Sequence, residues 1–352
     1  MLDAGGLERL ASWGTGPAGS LAGTVAELFE AQVDRDPAAV AVVGDGVEVS
    51  FAEVEVRANR LARALLSRGV GAESVVAVAL ERGVDLIVSL LGVLKAGAAY
   101  LPVDVTYPEA RIESMIIQAG VRVAVASPGT MDCLPDDIDV VLSNDPGLAG
   151  LAGGRLSADE RGALRLEQAA YVMFTSGSTG APKGVVVSHA GVGALIEGQQ
   201  RWLGVGQGSR VAQFASPGFD TFGWEWLGLL SGASLAIVPE EARLGEALLR
   251  TLNASQVTHV TLPPAVLAGL DPAGLDPSVV VAAAGEALPM GGPGGLGCRS
   301  ADVQLLRAVR DDGRCHLVAV RLRSRGHRAA GHRHTGLGPG RAPDAGAGRC
   351  RG

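Results

Sequence analysis

Cysteine is scarce in this chain, and its few thiols are unevenly placed. Of four cysteines in 352 residues, only Cys133 precedes residue 297. A lone thiol in so long a stretch excludes a disulfide-stapled fold and favours a reducing compartment. We therefore expect a cytoplasmic protein stabilised by an apolar core, which this length can build as one large or two ordinary domains.

Long hydrophobic runs are also missing. No stretch reaches the roughly 18 consecutive apolar residues that a membrane-spanning helix needs. The start, residues 1–6, has neither the basic residues nor the apolar stretch of a signal peptide. The sequence thus predicts neither a membrane span nor a secretory leader.

Lysine is rarer still, since Lys95 and Lys183 stand beside 28 arginines. Lys183 lies in the segment Thr-Ser-Gly-Ser-Thr-Gly-Ala-Pro-Lys-Gly at 175–184, between apolar runs at 169–174 and 185–187 that predict strands. Glycines, hydroxyls and one ammonium in a turn between strands are typical of a loop that holds polyphosphate oxygens. The spacing is not that of a Walker A loop, because Gly184 follows Lys183. A merely flexible turn is the alternative.

Further segments join this loop in a recognisable order. They are Val49–Val54, Ala58–Ala62, Leu94–Asp104, Tyr107–Glu109 with Arg111, Phe219–Asp220, Trp224–Glu225 and Gly285–Pro289. In this order they resemble the core motifs of adenylate-forming enzymes, and most closely those of the amino-acid adenylation domains of nonribosomal peptide synthetases. The resemblance extends from about Leu7 to Pro289.

Helical and strand patterns alternate along the same region. Such repeats predict an α/β fold of layered lobes with mostly parallel sheets, as the resemblance also implies for a large N-terminal adenylate-forming domain. Residues 1–20 are similar to a linker from an upstream condensation domain, and residues 21–289 to the N-terminal part of an AMP-binding adenylation domain. Residues 144–165 are rich in glycine and charge and are expected to form an exposed connection.

The resemblance implies that the chain binds ATP. The residues expected at its phosphates are Thr175, Ser176, Gly177, Ser178, Thr179, Gly180, Lys183 and Gly184. Those expected to border its adenine are Gly285, Glu286 and Ala287. Mg²⁺ is implied by ATP chemistry, although no cluster of residues has metal-ligand spacing. In an intact synthetase, a downstream phosphopantetheine carrier domain would receive the product.

The resemblance also implies a site for an amino acid. Asp220 would pair with the α-ammonium of the substrate; its alternative role is to cap the helix that contains Trp224. The other pocket positions are Thr221, Trp224, Thr261, Ala282 and Ala284. They describe a roomy, largely apolar pocket that suits a large hydrophobic or aromatic amino acid. Of the histidines before the tail, His189 could cap a helix or contact phosphate, and His259 is expected to be a satisfied core residue.

The charge changes sign near the end of the chain. Residues 1–296 carry 18 Lys and Arg against 33 Asp and Glu, whereas residues 297–352 carry 12 Arg against four Asp. The later adenylation motifs are missing here. However, residues 304–317 can be back-translated so that a one-nucleotide shift gives Asn-Ser-Tyr-Gly-Pro-Ser-Glu, the next expected motif, and the same shift works for residues 333–352. We therefore expect residues 290–352 to be an out-of-frame, disordered tail without a packed fold.

The leading interpretation is ATP-dependent formation of an aminoacyl-AMP, in a chain that is truncated and inactive as written. No catalytic residue is assigned. An acyl-CoA ligase of the same superfamily and a non-catalytic nucleotide-binding remnant are the alternatives. A nucleic-acid binder that uses the Arg-rich tail is disfavoured, so no nucleic-acid partner is expected.

Overall fold

The computed structural model describes residues 4–14, 19, 21–44, 46–175, 182–286, 303–311 and 314–322. The α-helices in these ranges are α1 Ala4–Gly14, α2 Val25–Arg35, α3 Phe51–Leu66, α4 Val84–Lys95, α5 Glu109–Ala119, α6 Ala158–Arg161, α7 Val192–Leu203, α8 Asp220–Trp226, α9 Gly245–Ala254 and α10 Pro264–Ala268. No helix in the part of the chain so described is both long and apolar enough to cross a bilayer.

The strands of the described residues belong to two sheets. They are β1 Val40–Gly44, β2 Val47–Ser50, β3 Val75–Ala79, β4 Ala99–Pro102, β5 Val123–Ala126, β6 Asp139–Leu142, β7 Ala169–Thr175, β8 Lys183–Ser188, β9 Arg210–Gln213, β10 Ser234–Ile237, β11 His259–Leu262, β12 Val280–Ala284, β13 Val303–Asp311 and β14 Arg314–Leu322. The eight-stranded sheet has the order β13-β14-β12-β11-β9-β10-β1-β2, and the six-stranded sheet β6-β5-β3-β4-β7-β8.

Most strand pairs in both sheets are parallel. In the larger sheet the run from β12 through β11, β9 and β10 to β1 is parallel throughout. In the smaller sheet the run from β6 through β5, β3 and β4 to β7 is parallel too. Antiparallel pairs occur only towards the ends of the sheets, at β1–β2, β7–β8 and the β12–β14–β13 group. The predicted α/β fold with mostly parallel sheets is confirmed.

Helix ends follow local chemistry that the sequence already indicates. The Thr24 hydroxyl accepts from the Glu27 N–H, and the Glu27 carboxylate accepts from the Thr24 N–H, which makes a capping box at the start of α2. Gly120 ends α5 at φ +65°, a left-handed conformation that glycine adopts without strain. These two caps set where α2 begins and where α5 ends.

Aromatic side chains join the two sheets. Trp226 of α8 is fully buried, and its indole N–H donates to the Tyr100 hydroxyl of β4 at 3.3 Å. Tyr100 in turn stacks on Tyr171 of β7 with ring centroids 5.5 Å apart. A helix that follows a strand of the larger sheet is thereby packed against the centre of the smaller sheet.

The expected exposed connection at 144–165 is fastened to α3. The Arg63 guanidinium donates to the carbonyl oxygens of Ala152 and Gly154, both at 2.7 Å, and pairs with Glu160. The Asn59 side chain donates to the Gly153 carbonyl at 2.9 Å. Most of the segment is exposed, as predicted, but its backbone is tied down by side chains of a helix that is distant in sequence.

Two ranges of the tail differ from the expectation of disorder. β13 and β14 pair antiparallel with each other, and β14 pairs antiparallel with β12. Alternating apolar residues such as Val303 and Leu305, and the run Leu317–Val320, favour extended backbone whatever reading frame produced them. The remainder of 290–352 lies outside the described residues, and its out-of-frame origin stays a prediction.

Candidate active site

The carboxyl ends of the parallel strands bring the predicted site residues to one region. In sheets of this kind, ligands bind in the crevice beyond those ends. Thr175 ends β7, Gly285 follows β12, and Asp220 begins the helix that follows β9. Three predicted motifs that are far apart in sequence therefore lie at carboxyl edges of the two sheets.

The predicted phosphate loop connects the antiparallel strands β7 and β8. Thr175 and Lys183 are direct partners across this hairpin, and both are exposed. A Cβ added at Gly184 would lie 3.3 Å from the Phe174 ring, so the close packing there favours glycine. Ser176, Gly177, Ser178, Thr179 and Gly180 lie outside the described residues. A hydroxyl and an ammonium thus face each other where the loop leaves the sheet.

A loop at residues 214–219 connects β9 to α8, and residues from the smaller sheet hold it. Arg82, which follows β3, donates to the Phe214 and Ala215 carbonyl oxygens at 2.6 and 2.7 Å. Asp104, which follows β4, accepts a short hydrogen bond from the Ser216 hydroxyl. The carboxyl edges of the two sheets are therefore fastened together at the loop that leads to Asp220.

Close packing of Tyr107 adds a further contact to this loop. A Cβ added at Gly218 would lie 2.3 Å from the Tyr107 hydroxyl oxygen, a separation that side chains do not tolerate. The Arg111 guanidinium carbon lies 3.9 Å from the centroid of the Tyr107 ring, in cation–π geometry. The predicted motif of Tyr107 and Arg111 thus forms the wall against which the 214–219 loop turns.

Glu225 is a buried residue whose importance the sequence motif alone did not reveal. Its carboxylate has no exposed surface and accepts from the backbone N–H groups of Phe214 and Ala215, both at 2.9 Å. Burial raises the pKa of Glu225 to about 8, against the opposing effect of those hydrogen bonds and of the nearby Arg82 charge. In the sequence, only the apolar neighbours Trp224 and Trp226 indicate that Glu225 is buried.

Asp220 occupies the first residue of α8, and its side chain is exposed. The helix cap position is Phe219, and no side-chain capping bond forms there, so the alternative role as a cap is not what the structure shows. The apolar residues that flank Asp220 in the sequence do not bury it, because α8 begins at the surface. Burial raises the pKa of Tyr171, and the negative charge of Asp220 raises it further. Asp220 therefore lies near β7, the strand that leads to the phosphate loop.

Three predicted pocket residues line one cavity. Trp224, Thr261 and Ala282 contribute to it, and Thr261 and Ala282 are direct partners on β11 and β12. The cavity is mainly apolar, as predicted, but its volume of about 10 Å³ holds little more than one water-sized group. It is smaller than the roomy pocket expected from two alanines, because Gln199 and Leu203 of α7 also project into this space.

Thr221 and Ala284 lie nearer the surface and are half-buried. Gly285 has φ +94°, which favours glycine, and Glu286 beside it is exposed at the end of β12. Ala287 lies outside the described residues. The predicted adenine border is thus a turn at the carboxyl end of β12.

Lys95, the second lysine, is structural. Its ammonium is fully buried and lies 2.9 Å from Glu55 and in contact with Glu30. These residues belong to α2, α3 and α4, behind the carboxyl edges. Of the two lysines, only Lys183 is at the candidate site.

The histidines have structural surroundings. His189 is buried, and its Nδ1 accepts from the Val25 N–H at 3.2 Å, so it neither begins a capped helix nor lies exposed to a phosphate. Burial lowers the pKa of His189 to about 4.

His259 lies 2.8 Å from the Thr258 hydroxyl and 2.9 Å from the Leu203 carbonyl, which confirms the prediction of a satisfied histidine.

The family of the chain follows from this architecture and from comparison with known proteins. The model of the AMP-binding enzyme family matches residues 29–318, so the chain belongs to that family. The match begins within α2 and runs past Pro289, where the motifs described above stop. It includes β13 and part of β14.

Relatives of the chain are nonribosomal peptide synthetases and a biosynthesis protein. It is 43% identical over 281 residues to the "Probable non-canonical nonribosomal peptide synthetase (NRPS) CymA" of Salinispora arenicola (strain CNS-205), which covers 80% of this chain and 3% of the relative. It is 41% identical over 276 residues to "Novobiocin biosynthesis protein H" of Streptomyces niveus, covering 76% and 46%. The chain thus spans less than half the length of either relative.

Solved structures agree with the fold. The synthetase FmoA3 (S1046A), bound to α-methyl-L-serine-AMP, is similar with a TM-score of 0.68 and 25% identity over 77% of this chain and 34% of that one. The N-terminal subdomain of Klebsiella oxytoca NpsA, in complex with 3-hydroxybenzoyl-AMSN, has a TM-score of 0.60 and 26% identity over 69% and 60%. The fold is that of the N-terminal domain of adenylate-forming enzymes.

Proposed function

We propose that the chain activates an amino acid with ATP, forming aminoacyl-AMP and releasing pyrophosphate, as part of nonribosomal peptide synthesis for an antibiotic or another secondary metabolite. The observation that carries the proposal is that Thr175 and Lys183 are direct partners at the carboxyl end of β7, while Asp220 begins the helix after β9 and its charge acts on Tyr171 of β7. Asp220 lies near Tyr171, on the same strand that ends at Thr175. An amino acid held by its ammonium at Asp220 would have its carboxylate close to phosphates held at the hairpin.

The reaction needs positioning more than acid–base chemistry. The substrate carboxylate attacks the α-phosphorus of ATP, and the bond from that phosphorus to the pyrophosphate oxygen breaks. Lys183 and the hydroxyls of the loop would neutralise the β- and γ-phosphates, and Asp220 would orient the substrate through its ammonium. An exposed hydroxyl and ammonium facing each other fit this task.

Mg²⁺ would supply further charge neutralisation at the phosphates when bound. In the described ranges, no group of three His, Cys, Asp or Glu side chains is placed to hold a cation. The Glu that the resemblance assigns to Mg²⁺ belongs to the motif that appears only when residues 304–317 are read in the proposed shifted frame. The cation therefore stays an implication of the resemblance.

The proposed partners follow from this role. The apolar lining at Trp224 and Ala282 favours an uncharged substrate side chain, and the resemblance favours a large hydrophobic or aromatic one. A condensation domain upstream and a phosphopantetheine carrier domain downstream would be its neighbours in a synthetase, working in the cytoplasm. An acyl-CoA ligase role is less favoured, because a fatty acid has no ammonium for Asp220.

We also propose that the 352-residue chain does not complete the reaction. The Tyr that the resemblance assigns to adenine stacking belongs to the motif Asn-Ser-Tyr-Gly-Pro-Ser-Glu, which residues 304–317 as written do not contain. Losing one preorganised electrostatic contact commonly costs about 10²–10³ in rate. Sequencing the gene between the codons for Gly285 and Gln304 tests this directly. A missing or extra base is expected, and an unambiguous frame would contradict the shift.

Amino-acid-dependent exchange of pyrophosphate into ATP is the test of function. The 352-residue chain should show none, and the chain translated from the restored frame should show it with large apolar amino acids. Lys183→Ala and Asp220→Asn should reduce it, whereas Arg122→Ala and Asp137→Asn, exposed and remote from the hairpin, should not. Exchange of pyrophosphate driven by fatty acids would contradict the proposed amino-acid substrate. AMP formation by the 352-residue chain would contradict its proposed inactivity.

A further inference from the structure

Gln199 is a buried amide beside the predicted substrate pocket. It lies on α7, is only 2% exposed, and was not among the residues expected to form the pocket. Its Nε2 donates to the Trp224 carbonyl oxygen. That contact sets the orientation of the amide, because the opposite orientation would bring two oxygens together.

The other end of the amide is unpaired. Gln199 Oε1 is buried and has no hydrogen-bond partner among the residues that the structure describes. Gln199 lines the same cavity as Trp224, Thr261 and Ala282. A buried acceptor without a donor is unfavourable, and such an atom beside a cavity favours a bound group that donates to it.

The other residues that line the cavity provide few polar atoms that could bind such a group. Most of its lining is aliphatic, namely Leu203, Val205, Val211, Val260 and Val280. His259 also lines it, but its two ring nitrogens already contact the Thr258 hydroxyl and the Leu203 carbonyl. Gln199 Oε1 is thus the unpaired acceptor of an otherwise mainly apolar space.

The pocket residues are buried to different depths. Asp220 is exposed and Ala284 half-buried, whereas Ala282, two residues earlier on β12, is 2% exposed. Thr261, the partner of Ala282 on β11, is 5% exposed. If the ammonium of the substrate amino acid is held at Asp220, its side chain would pass Ala284 before it reached the cavity. Gln199 would then lie at the closed end of the substrate pocket.

We propose that Gln199 is a specificity-determining residue that accepts a hydrogen bond from the tip of the substrate side chain. The substrate would be an amino acid with an apolar or aromatic side chain that ends in one hydroxyl or N–H. The inference rests on the proposed function. A cavity of about 10 Å³ fits such a tip, since a hydroxyl has the size of a water molecule.

Equilibrium binding to the 352-residue chain tests the inference without requiring turnover. Tyrosyl- and phenylalanyl-sulfamoyl adenosine differ by one hydroxyl, and 5-hydroxynorvalyl and norvalyl analogues form a shorter pair. In one of the two pairs, isothermal titration calorimetry should show the hydroxylated analogue binding about threefold to tenfold more tightly, the effect of one neutral hydrogen bond.

Variants separate recognition from support of the fold. Gln199→Leu should abolish the preference for the hydroxyl, and the exposed neighbour Gln200→Leu should keep it. Thr261→Val should also keep it, because the proposed acceptor is Gln199. A variant that only loosened α7 would weaken both members of a pair equally and leave their ratio unchanged.

Each outcome decides between two claims. Binding of both pairs without a hydroxyl preference in the unsubstituted chain would overturn the role of Gln199 and leave the proposed function intact. A preference that survives Gln199→Leu, or that Thr261→Val removes, would also overturn it. If no aminoacyl analogue binds either the 352-residue chain or the chain translated from the restored frame, the proposed function fails, and the role of Gln199 fails with it.

Discussion

Two buried ionisable residues show how differently the scaffold and the site are built. Behind the sheets, the Lys95 ammonium lies between the carboxylates of Glu30 and Glu55. At the carboxyl edges, Glu225 is equally buried but is held by backbone N–H groups instead of a salt bridge. The scaffold balances its charge with opposite charge, whereas the site uses an acid to position a loop. Burial raises the pKa of Glu225 as a consequence.

Removing the buried cation should have the largest effect. Lys95→Met leaves the Glu30 and Glu55 carboxylates close together in the interior with less compensation. Breaking such a pair commonly destabilises a fold by about 3–5 kcal/mol. We expect a loss of that order in the free energy of unfolding, measured with urea.

Arg122→Met, at an exposed position, is the matched control and should change stability by about 0.5 kcal/mol at most. Adding Glu55→Gln to Lys95→Met should recover part of the loss. If Lys95→Met is as stable as the unsubstituted chain, the contrast between the two buried charges does not hold.

Glu225→Ala should come next. It leaves the Phe214 and Ala215 N–H groups without their acceptor, and an unsatisfied buried donor costs about 1–3 kcal/mol. Glu225→Gln keeps a side-chain oxygen there and should be much closer to the unsubstituted chain near pH 7. Equal losses for Ala and Gln in urea unfolding would mean that the acceptor does not hold the loop.

The pH dependence of stability should sharpen the comparison. The folded-state pKa of Glu225, about 8, lies above its ordinary 4.5, so the folded protein retains a proton that the unfolded chain releases. Stability from Glu225 is therefore fully present below pH 4.5 and is lost as the pH rises through 8. Relative to Glu225→Gln, the unsubstituted chain should lose on the order of a few kcal/mol between pH 5 and 8. A constant difference would contradict the raised pKa.

His189 should show the opposite trend. Its folded-state pKa of about 4 lies below its ordinary 6.5, so its contribution is present above pH 6.5 and is lost as the pH falls through 4. The stability difference between the unsubstituted chain and His189→Gln should shrink over that window. A difference that does not change between pH 7 and 4 would show that His189 is not held neutral.

The smallest effect on stability is expected at the hairpin mouth. Lys183 is exposed, so Lys183→Ala should change the free energy of unfolding by about 0.5 kcal/mol at most. Its effect should instead be on affinity for a non-hydrolysable ATP analogue, about tenfold, because a charge-assisted contact to phosphate is lost. If Lys183→Ala greatly lowered the free energy of unfolding and left the affinity for the ATP analogue unchanged, Lys183 would be a structural lysine. That result would contradict its assignment to the phosphate site.

Much of the fold could be predicted from local sequence. The Thr24 cap, the glycine after α5 and the strands around the phosphate loop each depend on neighbouring residues, and the structure agrees with them. The fastening of the 214–219 loop could not be predicted in this way. Arg82 lies 132 residues from Phe214, and nothing in its surrounding sequence indicates that partner.

The pocket shows the same limit. Trp224, Thr261 and Ala282 were predicted together and do line one cavity. Its small size depends on Gln199, whose position on α7 is set by how that helix packs and by its bond to the Trp224 carbonyl. The apolar neighbours of Asp220 would suggest a buried position, but Phe219 is itself 61% exposed. Local composition did not indicate that α8 begins at the surface.

Binding of an aminoacyl-adenylate analogue tests the central claim most directly, namely that the two carboxyl edges form a site for an amino acid and a nucleotide. Phenylalanyl-sulfamoyl adenosine should bind the 352-residue chain, and Asp220→Asn should weaken that binding about tenfold or more, while the exposed Asp137→Asn should not change it. Tighter binding of a fatty-acyl-sulfamoyl adenosine, or equal affinities for Asp220→Asn and the unsubstituted chain, would contradict the account.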